Sequence, residues 1–393
     1  LEKKIKAELQ KLLDNDREKY EKFFAAFGPQ IKYGVLADYG AKKEALQDLL
    51  LYWSNKEGKL ISLKEYAAAM PEDQKYIYYA SGESRSRLGQ LPQLELLRQK
   101  GYDVLFMTDE VMKAWRKYVR ETVKHYGDRV AMWEIWNEPN LRSKNNPEIY
   151  AEMLIATAEE IRKVDKKAVI IGFGLSGVPL AWPREVMEIL KAKKKVDLID
   201  MVSFHPYYPN PDFATTDIIA LDSLMKSYSP KIKLFQGETG CPSILEYGHA
   251  MNHYEWSEYK QAKWDLRRMA NDFNLEIMSN IFTMVDLQYD NMLQSFGLIR
   301  MNLLKKVVYL RPSYYAVQNM ASLLTTKVFP FELEVSHNCP REISIVGVKD
   351  DSGKAVGAML WYSDQMPTDV LEKDNVNMVI KGLELNDPVY VEP

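Results

Sequence analysis

The apolar positions near the start of the chain repeat with helical spacing. Ile5, Leu9 and Leu12 share one face of a predicted helix. A second amphipathic helix is predicted from Asp16, which can cap it, to Gly28, which is placed to end it. The chain therefore opens with a predicted pair of helices.

Short apolar runs then predict strands, and the amphipathic stretches between them predict helices. The predicted strands are IKYGVL (residues 31–36), KYIYYAS (75–81) and DVLFMTD (103–109). The predicted helices are residues 42–53, a helix that begins at Ser62 with Glu65 as its capping-box partner, and residues 91–101. The last two strands and the helix between them form a predicted strand–helix–strand unit.

A regular alternation of strand and helix follows, from residue 112 to residue 325. The predicted strands of its five units are residues 130–136, 168–172, 197–204, 232–237 and 278–285. Three of the helices are predicted to begin near Pro147, Pro183 and Pro312, because proline suits the first helical turn. This rhythm predicts an α/β fold with a parallel sheet, either open or closed into a barrel.

Residues 326–393 alternate apolar and polar positions with a period of two, which predicts a small antiparallel β domain. The segment DDSGK (350–354) is the predicted turn of a hairpin. The sequence thus divides into three predicted parts, 1–111, 112–325 and 326–393.

Composition excludes several classes of protein. Lysine and arginine number 52 and aspartate and glutamate 55, and the formal net charge is −3, so neither nucleic acid nor a membrane surface is an expected partner. Two cysteines, Cys241 and Cys339, exclude a disulfide scaffold and supply no zinc motif. The charged start LEKKIKAELQ is a helical pattern rather than a secretory signal. The location stays open, and a cytoplasmic one is slightly favoured.

The candidate chemistry lies just beyond the ends of predicted parallel strands, where α/β folds place active sites. Glu138 follows one strand in the segment WEIWNEPN, and Glu238 follows another in QGETG. Two carboxylates that flank a glycosidic bond are the minimal equipment for glycoside hydrolysis. His205 and Tyr207 follow a third strand of the same series, in SFHPYY.

The motifs WNEPN, HPY and GETG, in that order and on those strands, resemble the retaining glycoside hydrolases of clan A, and family thirty-nine most. The resemblance implies that Glu138 is the general acid/base and Glu238 the nucleophile. It also implies that Asn137 donates a hydrogen bond to the sugar 2-hydroxyl, and that His205 and Tyr207 orient the carboxylates. The implied substrate is a carbohydrate, and no cofactor or metal is expected.

The sequence departs from this pattern in two places. Phe282 stands where the last barrel strand of the family usually offers tryptophan to the sugar. The first three barrel strands of the family have no recognisable counterpart.

Residues 1–111 resemble instead the middle domain of the ninety-kilodalton heat-shock chaperone family, in its bacterial form. The segments that carry this resemblance are DNDREKYEKFF, GVLADYGAKKEALQDLLLYWSNKEGKLISLKEYAAAM, DQKYIYYASGES and LLRQKGYDVLFMTDEV. Because the resemblance omits the family's ATP-binding and dimerising domains, no ATPase cycle is expected. Client contact through Trp53, Tyr78 or Tyr79 is one interpretation, and packing of these aromatic residues in a core is the other.

The chain is thus predicted to be a fusion, and two architectures compete. Either two incomplete pieces lie side by side, or the three strands of the chaperone-like segment complete a barrel with the five strands that follow. The preferred function is retaining glycoside hydrolysis. The alternatives are a non-catalytic fusion product and a client-contacting chaperone fragment. The sequence leaves the sugar and the oligomeric state open.

Overall fold

The structure of the protein is a computed structural model, which describes residues 2–36, 43–82, 85–108, 110–141, 146–289, 292–371 and 373–381. The chain forms two compact units, Leu1–Glu121 and Thr122–Pro393. None of the described helices combines the length and the apolar composition that crossing a bilayer requires.

The first unit consists of helices around one mixed sheet. Its described helices are α1 (Glu2–Asn15), α2 (Arg17–Leu36), α3 (Lys43–Leu46), α4 (Leu63–Ala68), α5 (Arg85–Leu88) and α6 (Leu94–Gln99). Its described strands are β1 (Tyr52–Ser54), β2 (Leu60–Ile61), β3 (Tyr78–Gly82) and β4 (Val104–Thr108), in the sheet order β2-β1-β4-β3. The β3–β4 pair is parallel, as the predicted strand–helix–strand unit requires. Helix α7 (Glu110–Tyr126) contains the boundary between the units.

The predicted capping box at the start of α4 is confirmed. The Ser62 side chain accepts a hydrogen bond from the Glu65 backbone N–H at 3.2 Å, and the Glu65 carboxylate accepts one from the Ser62 N–H at 2.6 Å. The same carboxylate pairs with Arg17 on α2 at 3.0 Å. The cap therefore also links α4 to α2.

The predicted strand at residues 31–36 is wrong, because these residues continue α2 through Pro29 to Leu36. Ile31 and Val35, four residues apart on one helical face, pack against the buried cluster that contains Tyr20 and Phe24. A short apolar run fits a helix and a strand equally well, and here packing decides for the helix. The proposed completion of a barrel by three strands of this segment therefore fails for one of the three.

The helix predicted at residues 42–53 is also wrong in its second half. Residue 42 lies outside the described residues, and the helix that follows it, α3, is only four residues long. A short 3₁₀ helix, Gln47–Leu49, comes next, and then the chain enters β1. Trp53 pairs there with Leu60 on one side and Phe106 on the other, so sheet pairing overrides the helical pattern.

The second unit contains the repeated strand and helix elements. Its described helices are α8 (Pro147–Val164), α9 (Ala181–Ala192), α10 (Ala214–Tyr228), α11 (Glu258–Asn274) and α12 (Pro312–Leu323). Its first described strands are β5 (Met132–Glu134), β6 (Val169–Ser176), β7 (Met201–His205) and β8 (Lys233–Gln236). The later ones are β9 (Leu287–Gln288), β10 (Leu293–Gln294), β11 (Ile299–Met301), β12 (Val307–Leu310), β13 (Val328–Phe331), β14 (Glu334–His337), β15 (Ile343–Asp350), β16 (Ala355–Tyr362) and β17 (Met378–Lys381).

The predicted parallel sheet is observed over four strands, in the order β5-β6-β7-β8, and each pair is parallel. Pro147 and Pro312 begin their helices as predicted, and Pro183 lies in the first turn of α9. Because α8, α9 and α10 return the chain between strands, the carboxyl ends of all four strands meet at one edge. The candidate site residues follow these ends.

The fifth predicted strand, residues 278–285, does not form a continuous ladder. Met278 and Ile281 make only isolated parallel bridges, to Phe235 and Thr239. Between them the Asn280 side chain, rather than its backbone, donates to the Gly237 carbonyl at 2.7 Å. The described residues of the second unit therefore extend the four-stranded sheet by bridges and do not close a barrel.

The antiparallel strands expected near the C-terminus are observed as two small sheets, β13-β15-β16 and β14-β17. The predicted turn joins β15 to β16, and the Asp350 N–H donates to the Lys354 carbonyl at 2.9 Å. Residues 382–393 lie outside the described residues.

Candidate active site

Glu138 lies in a loop that is fastened to the neighbouring strand β6. Its backbone N–H donates to the Gly174 carbonyl at 2.8 Å. Two residues later, the Asn140 amide exchanges two hydrogen bonds with the backbone of Ser176, at 2.8 and 2.9 Å. Residues next to Glu138 in the NEPN segment therefore attach it to β6. The two hydrogen bonds of Asn140 explain the need for an amide side chain at this position.

Gly174 is required where this loop meets β6. Its φ is +47°, and a Cβ atom there would lie 2.8 Å from the Trp136 carbonyl oxygen and 2.9 Å from a Glu134 carboxylate oxygen. Only glycine permits this close approach of the two backbones. The glycine thus lets Glu138 hydrogen-bond directly to β6.

His205 and Tyr207 are placed by the end of β7. His205 is the last residue of the strand and is 1% exposed. The Gly177 N–H donates to its carbonyl at 3.1 Å, so the β6 side also holds this residue. Tyr207 follows after Pro206 and packs edge-on against Phe296, with ring centroids 6.3 Å apart. Both side chains are therefore fixed before any substrate binds.

Glu238 lies two residues beyond the end of β8, and both its neighbours in sequence are anchored. The Gly237 N–H donates to the Phe204 carbonyl on β7 at 3.2 Å. The Thr239 hydroxyl donates to the Pro206 carbonyl at 3.1 Å. The backbone on either side of Glu238 is thus tied to the strand that carries His205.

The structure brings both glutamates and the histidine together. One carboxylate oxygen each of Glu138 and Glu238 and one imidazole nitrogen of His205 all lie within 4.8 Å of one another. His205 Nδ1 lies 3.0 Å from Glu138 Oε1, and the Tyr207 hydroxyl donates to Glu238 Oε1 at 2.7 Å. Each carboxylate therefore has its own polar partner, and the two face each other across a short gap.

The Tyr207 hydroxyl and the His205 imidazole differ in whether they can act as donor or acceptor toward the carboxylates. Burial, and then the negative charge of Glu238, raise the pKa of the Tyr207 hydroxyl far above its ordinary value of 10.0, so this group stays a donor. A neutral imidazole can present either an N–H or a lone pair at Nδ1. Glu138 can therefore keep its contact with His205 whether its carboxyl group is ionised or protonated.

Asn137 and Phe282 lie at the margin of this arrangement. Asn137 is exposed and precedes Glu138 in the same loop. Phe282 is half-buried and packs against Phe296, with ring centroids 6.1 Å apart. Trp136 is 53% exposed, because within the second unit β5 has a paired strand on one side only.

Glu138, His205 and Glu238 form the one group of described residues whose donor atoms can surround a metal ion. Two carboxylates and one imidazole are acceptable ligands for zinc or iron. The imidazole, however, already faces Glu138 through Nδ1, and Glu238 already accepts from Tyr207. A metal ion at this position would therefore compete with the hydrogen bonds that already exist within the cluster.

A buried polar stripe on α11 supports the site and was not identified from the sequence. Its members recur at the helical spacing of four, three and four residues, and they are Gln261, Asp265, Arg268 and Asp272. The Gln261 amide donates to the Cys241 and Phe296 carbonyls at 3.0 and 3.2 Å. The stripe thereby holds the loop that follows Glu238. The sequence signal that could have predicted this stripe is the helical spacing of four polar residues, which places them on one face of α11.

The aromatic residues considered for client contact in the first unit differ in exposure. Trp53 is partly buried beneath the Arg85 guanidinium, 3.8 Å from its ring centroid. Tyr78 is partly buried and stacks on Tyr102 at 5.7 Å. Tyr79 is 64% exposed. Core packing therefore accounts for the first two residues and not for Tyr79.

Two family models match the chain. Residues 1–163 match the model of Hsp90 proteins, and residues 102–236 match the model of glycosyl hydrolases family 39. The second match contains Glu138 and His205, and it ends two residues before Glu238.

The curated relatives match the first part of the chain. Chaperone protein HtpG of Oceanobacillus iheyensis is 59% identical over 111 residues, which cover 28% of this chain and 18% of that protein. HtpG of Clostridium acetobutylicum is 42% identical over 170 residues, covering 41% of this chain and 27% of that protein. The chain thus spans less than a third of the length of these relatives.

A solved structure resembles a larger share of the chain. The family 39 glycoside hydrolase from the gut symbiont Bacteroides cellulosilyticus superposes with a TM-score of 0.50 at 19% sequence identity. The similarity covers 76% of this chain and 64% of that one, and it shows likeness of fold. Both resemblances inferred from the motifs are confirmed: the chain is a fusion of an Hsp90-like chaperone middle-domain segment and a family 39 glycoside hydrolase-like segment.

Proposed function

We propose that the second unit hydrolyses glycosides with retention of configuration, using Glu238 as nucleophile and Glu138 as general acid and base. The observation that carries the proposal is the approach of the two carboxylates within 4.8 Å. Retaining enzymes place the carboxyl groups about 5–5.5 Å apart, whereas inverting enzymes leave about 6.5–9.5 Å for a water molecule.

In the first step, one Glu238 oxygen attacks the anomeric carbon and the bond to the leaving oxygen breaks. Glu138 gives its proton to that leaving oxygen. Because Tyr207 donates to Oε1 of Glu238, Oε2 is the oxygen available for attack. The product of this step is a glycosyl ester on Glu238.

In the second step, water attacks the anomeric carbon and the ester bond to Glu238 breaks. Glu138, now ionised, takes the proton from this water, which restores both carboxyl groups to their first state. His205 keeps Glu138 in place through the change of charge, since its imidazole nitrogen can donate or accept. Asn137 is the proposed donor to the sugar 2-hydroxyl, and Phe282 the proposed apolar surface beneath the ring.

Variants of the two glutamates test the assignment. The probes are p-nitrophenyl and 2,4-dinitrophenyl glycosides of xylose, arabinose, glucose and galactose, in both anomeric forms. Glu138→Gln should still release about one equivalent of dinitrophenolate in a burst, because this leaving group needs no proton. Its steady-state rate should fall by about 10²- to 10⁴-fold and recover with azide, which attacks the ester without a general base.

Glu238→Gln should show neither the burst nor the recovery with azide. Glu185→Gln, an exposed glutamate on α9, is the matched control and should leave the rate unchanged. Absence of hydrolysis of every probe by the unaltered chain would favour the alternative, a non-catalytic fusion product. A burst that survives in Glu238→Gln would overturn the nucleophile assignment.

A further inference from the structure

Two segments that follow the site strands are clamped to each other. The first is the loop 239–257 after Glu238, and the second is the hairpin of β9 and β10. The Ser243 N–H donates to the Ser295 carbonyl at 2.9 Å. Glu246 Oε1 accepts from both the N–H and the hydroxyl of Ser295, at 2.6 and 2.5 Å. The loop and the hairpin therefore form one connected rim beside the carboxylates.

This rim presents aromatic rings to solvent. His249 on the loop lies against Tyr289 on the hairpin, with ring centroids 4.8 Å apart and planes tilted by 34°. Tyr247 and His253 make a second, edge-on pair at 5.7 Å. Tyr289 is 45% exposed and Tyr247 74%. Two aromatic pairs with exposed tyrosine rings on a clamped rim have the properties of a binding surface.

The same rim also lies against the carboxylate site. Phe296, which follows Ser295, packs edge-on against Tyr207, with ring centroids 6.3 Å apart. Tyr207 in turn donates to Glu238 at 2.7 Å. A series of contacts therefore runs from Glu238 through Tyr207 and Phe296 to the clamped segment that carries Tyr289.

We propose that Tyr289, backed by His249, is the wall of a sugar-binding subsite next to the carboxylate pair, and that Tyr247 extends this wall outward. The inference rests on the proposed function. The ligand class is a glycoside whose sugar or aryl ring offers an apolar face, since C–H groups of such a ring pack on an aromatic face while its hydroxyls stay in water. The wall therefore gives tighter binding of glycosides that extend beyond a single small sugar.

The test measures binding without turnover. In the full chain carrying Glu238→Gln, calorimetric titration gives the Kd of each p-nitrophenyl glycoside of the panel. Adding Tyr289→Ala should raise the Kd by about 3- to 10-fold, the usual worth of one aromatic contact. Tyr289→Phe keeps the ring and should leave the Kd within about twofold.

Tyr315→Ala is the matched control, because Tyr315 is an equally exposed tyrosine on α12, 52% exposed. An unchanged Kd in Tyr289→Ala, a loss as large in Tyr315→Ala, or no binding by the Glu238→Gln chain would each overturn the subsite. Failure of the proposed function is a separate result. It appears as no hydrolysis by the unaltered chain, whether or not Tyr289→Ala weakens binding.

Discussion

Asp265 is a buried carboxyl group without a hydrogen-bonding partner. It is 1% exposed, and neither of its oxygens is bonded among the described residues. Burial raises the pKa of this carboxyl well above its ordinary value of 3.8, so the folded protein binds this proton more tightly than an exposed carboxyl group does. It lies on the α11 stripe, beneath the loop that carries Glu238. One residue thus makes the stability of this loop depend on pH.

The sign of this dependence follows from linkage. Because the folded state binds the proton more tightly than the unfolded state, Asp265 lowers the free energy of unfolding as pH rises above about 4. The slope is at most about 1.4 kcal/mol per pH unit for one group, and it ends at the folded pKa. We expect the free energy of unfolding of Asp265→Asn, relative to the unaltered chain, to rise progressively in urea titrations as the pH is raised above about 4.

The exposed Asp197→Asn gives the baseline for this comparison, since Asp197 lies at the surface. A difference between Asp265→Asn and the unaltered chain that is the same at every pH would contradict the argument. A difference in the free energy of unfolding that does not change with pH would reflect only how well the asparagine amide packs at position 265.

At the scale of single residues, the sequence predicts which polar groups come together and not the residues that hold them. Glu138, Glu238 and His205 each follow the end of a predicted strand, and the structure brings their carboxylate oxygens and imidazole nitrogen together. Tyr289 carries no such signal. Its hairpin is held in place because Ser295 is clamped to Glu246, which lies far from it in sequence. Contacts of this kind depend on tertiary packing, which single-sequence patterns do not contain.

At the scale of elements, the position of Glu238 depends on how closely its loop approaches the segment 278–285. The Phe282 N–H donates to the Thr239 carbonyl at 2.7 Å. A Cβ atom on Gly240 would lie only 1.9 Å from the Phe282 carbonyl oxygen, which belongs to backbone and cannot rotate away. The glycine therefore sets the distance between the two segments.

Gly240→Ala should accordingly separate these segments. We expect a loss of about 1–3 kcal/mol in the free energy of unfolding, the usual cost of overpacking, and at least a tenfold loss of aryl glycoside hydrolysis. Equilibrium urea unfolding and initial rates check the two effects. Gly357→Ala is the control, because a Cβ atom there meets nothing within 4 Å. Equal behaviour of the two variants would show that the close approach has no such role.

Element types were predictable where a local signal and tertiary packing agree. Ser62 and Glu65 supply a complete cap, so the start of α4 follows from four residues of sequence. Residues 31–36 carry an apolar run of no definite period, and packing against Tyr20 and Phe24 makes them helical. The strand predicted at residues 278–285 does not form a continuous ladder for a different reason. The Asn280 side chain, rather than its backbone, makes the hydrogen bond to the neighbouring strand end.

At the scale of the second unit, one buried ion pair joins the antiparallel strands to the helices of the parallel sheet. Arg267 on α11 donates through Nε to Asp212 at 2.9 Å and through Nη1 to the Gln365 carbonyl at 2.9 Å. Asp212 also accepts from the indole of Trp361 on β16 at 2.7 Å and from Asn271 at 3.0 Å. Burial lowers the pKa of Arg267, and Asp212 opposes this shift.

Removal of one partner should therefore be costly. Arg267→Ala leaves Asp212 buried without its counter-charge, and we expect about 3–5 kcal/mol of destabilisation. Hydrogen exchange should rise first in β15 and β16, which lose their attachment to α11. The exposed Arg184→Ala on α9 should leave both measurements unchanged. Faster exchange spread evenly over the second unit would argue against a local anchor.

Both cysteines of the chain are free, and they sit in opposite surroundings. Cys241 is 1% exposed within the loop that follows Glu238, and burial raises the pKa of its thiol well above its ordinary value. Cys339 is partly exposed. An alkylating reagent therefore modifies Cys339 in the folded chain, but reaches Cys241 only when the loop opens. The ratio of the two labelling rates therefore reports how often the loop that follows Glu238 opens.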